Sequence, residues 1–177
     1  MMKKLKLMTL FIIISIGILS FGGSISDEVL EIAADKFEVD TLNNQFIAKD
    51  KIKITQGKLI IYASQATYTK EKEKIRITDK VRILYDQILI NCETAVYNRN
   101  TYKIVAEKDL SVIFQDYVIT SKRLVYDIKK GLVFFEGDTT ISRKKNIING
   151  KDIILDIGLN KIYSNEKTKF IIEEVEK

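Results

Sequence analysis

Apolar and polar residues alternate along most of this chain with a period of two. Ile75 and Ile77 flank Arg76, and Ile83 follows Arg82. Alternation that uses β-branched residues is typical of a half-buried β-strand, whereas an amphipathic helix would need apolar residues about 3.6 positions apart. The pattern therefore predicts an all-β protein.

The alternating pattern returns with a fixed 29-residue period and without a gap. The stretch Ala63–Asn91 aligns with Ala34–Tyr62 before it and with Cys92–Thr120 and Ser121–Asn149 after it, and Gly150–Lys177 is a fifth copy that falls just short of the full length. A period kept over this length is a property of the fold. The chain is predicted to be built from five such units.

Two kinds of polar segment separate the predicted strands. The longer ones are Asp40–Gln45, Lys70–Lys74, Asn98–Lys103, Asp127–Gly131 and Asp156–Lys161, and the shorter ones are Gln56–Lys58, Tyr85–Gln87, Gln115–Asp116 and Arg143–Asn146. Short loops between strands of about ten residues favour antiparallel hairpins. A parallel β-solenoid also has a fixed period, but its turns are usually tight and rich in glycine or asparagine, so it is the alternative architecture.

Each long strand is interrupted at its middle. A polar residue or glycine takes the position that should face inward, and the members of this column are Asp50, Asp79, Lys108, Gly137 and Glu166. The returning strands carry small residues at the matching place, namely Ala63, Ala66, Cys92, Ala95 and Ser121. Such a break indicates a bulge or corner at which the strand bends. Bent antiparallel strands predict a twisted jelly roll or sandwich around an apolar interior.

Residues 1–26 form a predicted secretory signal. Lys3, Lys4 and Lys6 precede the apolar run Leu7–Leu19, and small residues follow as far as Ser26. These three parts are those of a signal peptide, and we expect cleavage after Ser26 to leave one domain over residues 27–177. The alternative is an uncleaved anchor, although the run is shorter than the roughly 20 residues that span a bilayer.

The composition argues against catalysis. The chain has no histidine, which removes the commonest general base and metal ligand. Its single cysteine, Cys92, excludes an internal disulfide and a cysteine-cluster zinc site. The carboxylates Asp40, Asp127 and Asp156 stand where strands enter turns, where aspartate caps its own backbone. We predict no catalytic residue, no cofactor and no metal, so the chain is not expected to be an enzyme.

Charge and aromatic residues do not indicate nucleic-acid binding. Part of the net charge of +5 belongs to the lysines of the signal, and the remaining charges of both signs interleave along the strands. Tyr68, Tyr97 and Tyr126 form one column of the repeat and could stack on bases or sugars. Packing on one face of neighbouring strands explains them better.

The repeat itself resembles a known family. The unit ADKFEVDTLNNQFIAKDKIKIT and its later form SKRLVYDIKKGLVFFEGDTTIS resemble the OstA-like repeat of the LptA family of periplasmic lipopolysaccharide-transport proteins, over about Leu30–Ile172. LptC and the N-terminal domain of LptD share that fold. The resemblance implies a β-jelly roll that bridges the periplasm and carries lipopolysaccharide to the outer membrane, with the lipid A acyl chains inside the roll.

The resemblance also implies sites and partners. The inward columns that would contact lipid are Phe37, Ile52, Ile54, Ile61, Ile75, Ile83, Ile90, Ile104, Val112, Ile119, Val133, Phe135, Ile141 and Ile148. The terminal strands would pair with LptC-like and LptD-like jelly rolls or head to tail with another copy, through the edge residues Leu30, Ile32, Phe170 and Ile172. Filling of a closed core is the plainer interpretation of each inward residue taken singly.

Three other roles stay open at this point. A membrane-anchored, LptC-like component of the same machinery would differ only in keeping residues 1–26. An exported structural or adhesive β-solenoid would have a filled interior and no lipid. An exported carbohydrate-active enzyme would need two carboxylates that converge in a cleft.

Overall fold

The strands lie where the alternating pattern predicts them. The computed structural model describes residues 28–164 and 168–171. Its strands are β1 (Glu31–Ala33), β2 (Lys36–Asp40), β3 (Gln45–Gln56), β4 (Leu59–Thr69), β5 (Lys74–Tyr85), β6 (Ile88–Asn98), β7 (Lys103–Phe114), β8 (Tyr117–Asp127), β9 (Leu132–Arg143), β10 (Asn146–Asp156), β11 (Lys161–Ser164) and β12 (Lys169–Ile171). One turn of 3-10 helix, Lys70–Lys72, lies between β4 and β5.

All twelve strands belong to one antiparallel sheet. From β3 to β11 each strand pairs with the next along the chain. The two edges are each divided: β1 and β2 both pair with β3, and β11 and β12 both pair with β10. The antiparallel prediction is confirmed, and the parallel solenoid is wrong. The bent strands predicted from the sequence all belong to one continuous sheet, which is bent across its strands.

The strand positions repeat at the predicted spacing. The strands β3, β5, β7, β9 and β11 begin one repeat period apart, at Gln45, Lys74, Lys103, Leu132 and Lys161, and β4, β6, β8 and β10 recur with the same period. Consecutive long turns hydrogen-bond to one another through the backbone, as from Arg99 N to Glu73 O at 2.9 Å and from Ile128 N to Tyr102 O at 3.1 Å. The predicted fifth unit and the corner position Glu166 include residues outside the described part, so the number of units stays a prediction.

The predicted corners are bulges with left-handed backbone. Asp79 and Lys80 have φ angles of 66° and 53°, and the register of β5 against β6 shifts between Thr78 and Val81. The same left-handed pairs occur at Asp50 with Lys51 and at Lys108 with Asp109. Aspartate, asparagine and glycine tolerate this conformation best, which explains why polar residues or glycine interrupt the apolar column.

Gly137 shows that backbone conformation, not space, selects the corner residue. Its φ angle is 77°, and a β-carbon added there would meet nothing within 4 Å. A larger residue would fit in the space but would be strained in this backbone region. The corner therefore needs a residue that accepts positive φ, and the bend follows from that requirement.

Candidate functional site

The inner face of the sheet carries a continuous apolar row, called here the isoleucine row. One residue from β1 and one from each strand from β3 to β10 lie opposite one another in the pairing register. Its members are Ile32, Ile54, Ile61, Ile83, Ile90, Val112, Ile119, Ile141 and Ile148. Cross-strand neighbours of this kind pack on one face of the sheet. The row therefore forms an uninterrupted apolar line from β1 to β10.

A second inner row, the tyrosine row, lies near the long turns. Its opposed members are Phe46, Tyr68, Ile75, Tyr97, Ile104, Tyr126, Val133 and Leu155. Tyr68, Tyr97 and Tyr126 are all buried on this face, so packing on one face, the interpretation favoured by the sequence, is confirmed. The bends lie between the two rows and give each strand a short-turn half and a long-turn half.

The predicted lipid-contact residues all lie in one core. Twelve of the fourteen are at most 1% exposed, and Phe37 and Ile148 are half-buried against the same cluster. The core also contains residues that the predicted set left out, chiefly Ile77, Leu110, Phe114, Leu124 and Leu155. The apolar side chains thus pack against one another in the described structure.

The two halves of the sheet meet along a line that we call the seam. The Tyr97 hydroxyl, near a long turn, donates to Gln56 Oε1, near a short turn, at 2.8 Å. The rings of Tyr85 and Tyr126 meet edge to face with centroids 6.0 Å apart. Each pair joins the short-turn end of one strand to the long-turn end of another. The sheet is therefore folded on itself, with its inner rows enclosed.

Burial keeps the tyrosine hydroxyls of the inner row protonated. It raises the pKa of Tyr97 and of Tyr126 well above the ordinary value. It also raises the pKa of Tyr68 to about 12, helped by the hydrogen bond of its hydroxyl to Glu73 at 2.9 Å. Tyr97 and Tyr68 consequently remain hydrogen-bond donors throughout the neutral pH range.

Removing the Tyr97 hydroxyl is expected to weaken the seam. Gln56 is only 4% exposed, so Tyr97→Phe leaves a buried acceptor without this donor, which costs about 1–3 kcal/mol of unfolding free energy. Urea denaturation measures the loss. Tyr163→Phe is the matched control, because Tyr163 is 42% exposed. Equal losses from the two substitutions would show that the Tyr97–Gln56 bond contributes nothing to stability.

The candidate chemical groups have structural roles. Asp40 accepts hydrogen bonds from the backbone of Leu42 and Asn43, both at 3.1 Å. Asp156 accepts one from the backbone of Leu159 at 2.9 Å. The turn-capping role predicted for these aspartates is confirmed. Among the described residues, no group of three or more histidine, cysteine or acidic side chains could hold a metal ion.

Cys92 is a buried residue of the core. It is 6% exposed, and burial raises the pKa of its thiol to about 12. A thiol with so high a pKa is almost wholly protonated at neutral pH and is a poor nucleophile. It lies opposite Val81 on β5, next to the corner, where the repeat uses small residues.

Each edge of the sheet is formed by two short strands. Leu30 and Ile32 are half-buried against the core at the β1 edge. At the other edge, Phe170 pairs with Ile148, while Ile172 lies outside the described residues. The predicted signal segment, residues 1–26, also lies outside them. No helix in the described part of the chain is long and apolar enough to span a membrane.

Comparison with known proteins identifies the family. The family model for the LptA/(LptD N-terminal domain) LPS transport protein matches residues 31–161. No curated protein matches. Among solved structures, LptH from Pseudomonas aeruginosa, described as the LptA-homologous periplasmic component of the lipopolysaccharide transport device, is 12% identical. That match covers 85% of this chain and all of the LptH chain, with a TM-score of 0.35. Because the family model spans most of the sequence, the chain belongs to the LptA/LptD N-terminal domain family of lipopolysaccharide-transport proteins.

Proposed function

We propose that this protein is a non-enzymatic bridge that binds lipopolysaccharide and carries it across the periplasm, with the acyl chains against the isoleucine row. The observation that carries the proposal is the row itself, which continues without a polar residue from β3 to β10. Family membership supplies the cargo class.

The physical need for such a path is large. Each CH₂ group of an acyl chain that leaves a membrane for water costs about 0.8 kcal/mol. A lipid with several chains therefore cannot cross an aqueous compartment without an apolar sheath. Ile83 and Val112 lie at 0% exposure on the inner face of neighbouring hairpins, and residues of this kind line the proposed path.

The packed interior implies that lipid entry requires the halves to separate. The isoleucine row is closed over by its own core neighbours. Acyl chains can reach it only if the seam opens and apolar protein contacts are exchanged for apolar lipid contacts. Such an exchange leaves the buried apolar area roughly constant, so the hydrophobic effect does not oppose it.

We propose that the edges join the protein to its neighbours. The β1 edge, with Leu30 and Ile32, and the β12 edge, with Phe170 and Ile172, would pair with LptC-like and LptD-like jelly rolls or head to tail with another copy. Unpaired strand edges are natural sites for strand addition. The mature protein would begin after Ser26 and work in the periplasm, the compartment in which LptH is a component of the transport device.

Photo-crosslinking tests the lipid path. A photoreactive residue in place of Ile83, Val112 or Ile141 is expected to capture lipopolysaccharide. Ile113 is the matched control, because it is apolar, adjacent to Val112 and 38% exposed on the outer face. Arg82 is a second, polar control. Adducts of equal yield at Ile113 and Val112, or adducts only from outer positions, would contradict the proposal.

A membrane-anchored role in the same machinery is the second candidate. It would share the sheet and its rows and would differ in retaining the apolar run Leu7–Leu19. The intact mass of the exported protein distinguishes the two roles, because cleavage after Ser26 removes the whole segment from Met1 to Ser26.

A further inference from the structure

The seam is staggered by three strands. In each contact between a short turn and a long turn across the seam, the long turn lies three strands further along the sheet than the short turn. The contacts are Gln56 with Tyr97, Tyr85 with Tyr126, and Gln115 with Asn160, where Gln115 Nε2 donates to Asn160 Oδ1 at 3.1 Å. The stagger is constant because the strands recur at equal spacing.

The stagger leaves turns at both ends without an opposite turn in the described chain. The last short turn, Arg143–Asn146, would need a long turn beyond β12. The first long turn, Asp40–Gln45, would need a short turn before β1. Both turns are exposed, and Leu42 at the tip of the first long turn is 93% exposed. The long turn Lys70–Lys74 likewise has no short turn three strands before it, so one short turn is unmatched at the β10 edge and two long turns are unmatched at the β1 edge.

A second copy joined edge to edge would bring the last short turn of one copy opposite the first long turn of the next. Strand β12 runs antiparallel to β10, and β1 runs antiparallel to β3, so β1 of a following copy can continue the antiparallel order beside β12. If the isoleucine row continues in register, Phe170 of one copy lies opposite Ile32 of the next. The first long turn of the following copy then stands three strands beyond the last short turn, at the seam distance seen within the chain.

The residues that would meet across this junction have the same backbone conformation as Gln115 and Asn160, which already meet within one chain. Lys144 stands one repeat period after Gln115, and their φ angles are 55° and 54°. Asn44 occupies the same place in the first long turn as Asn160 in the last, with φ angles of 49° and 51°. The Gln115–Asn160 hydrogen bond therefore has its counterpart in Lys144 of one copy and Asn44 of the next.

We propose that Lys144 of one copy docks on the Asn44–Glu71 pair of the following copy and closes the seam across the junction. Asn44 Nδ2 donates to Glu71 Oε1 at 3.0 Å, which places a carboxylate beside the amide oxygen that would accept from Lys144. The last short turn carries Arg143, Lys144 and Lys145 in succession, so its charge is opposite to that of Glu71. This docking site rests on the head-to-tail association in the proposed function. It adds the residues at which the turns of two associated copies meet.

Thiol crosslinking between two copies tests the contact. Cys92→Ala provides the background, since Ala63 fills the same column. Bifunctional thiol reagents of increasing length are first tested on a chain with Gln115→Cys and Asn160→Cys. The shortest reagent that links these two cysteines within the chain is chosen. The same reagent is then applied to a mixture of Lys144→Cys protein and Asn44→Cys protein. We expect a mixed dimer, identified by mass.

The matched control uses the last long turn. Asn160→Cys replaces Asn44→Cys in the mixture, because Asn160 has the same turn geometry but already has Gln115 opposite it. We expect little mixed dimer from this pair. Equal yields from Asn44→Cys and Asn160→Cys would show that the turns meet at random and would overturn the docking site.

Charge reversal gives an independent readout. Lys144→Glu is expected to weaken self-association about two- to fivefold at low salt, as for an exposed ion pair, and by less at high salt. Glu71→Lys in the partner copy is expected to restore it. Failure of the restoration would contradict the pairing of these two charges.

The outcomes separate this site from the proposed function. A crosslink between Ile32→Cys in one copy and Phe170→Cys in another reports edge-to-edge association whether or not the turns meet. If that pair crosslinks and Lys144→Cys with Asn44→Cys does not, the docking site is wrong and the bridge stands. If the turn pair crosslinks and no interior position captures lipopolysaccharide, the docking site stands and the lipid path is wrong. If neither pair crosslinks, head-to-tail association and the docking site both fail.

Discussion

Linking Gln115→Cys to Asn160→Cys across the seam is expected to reduce capture of lipopolysaccharide at Val112 to the level of the outward control Ile113. The two native side chains are 3.1 Å apart and join a short turn to a long turn. A covalent link there holds the halves together. Because the inner face is packed, acyl chains cannot reach Val112 unless those halves move apart.

The experiment is reversible by design. A reagent that contains a disulfide allows the link to be cut with reductant, and capture at Val112 should then return to the unlinked yield. Proteins with only one of the two cysteines, carried through the same treatment, control for modification of a single turn. Undiminished capture in the linked protein would show that lipid enters through the ends of the roll and that the seam stays closed.

Phe135→Ala is expected to cost the fold about 3–5 kcal/mol, the usual range for truncating a buried phenylalanine. Phe135 is 1% exposed and lies opposite Leu124 and Ile153 on the inner face. A domain is stabilised by about 5–15 kcal/mol in total, so the variant would lose a large share of its stability. Urea denaturation with an unchanged slope would locate the effect in the folded core.

Phe134→Ala is the matched control for that loss. Phe134 is the neighbouring residue, with its side chain on the opposite face and only half-buried. We expect its truncation to cost distinctly less than that of Phe135. If the two substitutions cost the same, the assignment of inner and outer faces in β9 would be wrong.

The strands and their faces can be predicted from sequence because the two faces of a strand are occupied by alternate residues. Arg76 between Ile75 and Ile77 already indicates the inner side of β5, and the structure places Ile75 and Ile77 at 0% exposure. The corners are equally predictable. Asp79 interrupts the apolar column because its backbone has a positive φ angle. This conformation favours polar residues or glycine, which are easily recognised in a column of apolar residues.

The closure of the sheet cannot be predicted in this way. Tyr97 and Gln56 are 41 residues apart, and the repeat pattern does not indicate that these two residues form a pair. Alternation identifies the inner face but gives no information on how far the sheet curls or which ends meet. The pattern therefore assigns Gln56 to a loop, whereas the structure buries it at the seam. A polar residue at an inward position of a strand end is the one available signal.

The three-strand stagger of the seam has a consequence for how such chains can change in length. Insertion or loss of a whole 29-residue unit moves both kinds of turn together, so the three-strand match between short and long turns is kept. Loss of a single strand would place short turns opposite short turns and break the closure. Length variation by duplication of complete units is thus structurally neutral, and the span of the sheath can be adjusted in steps of one hairpin.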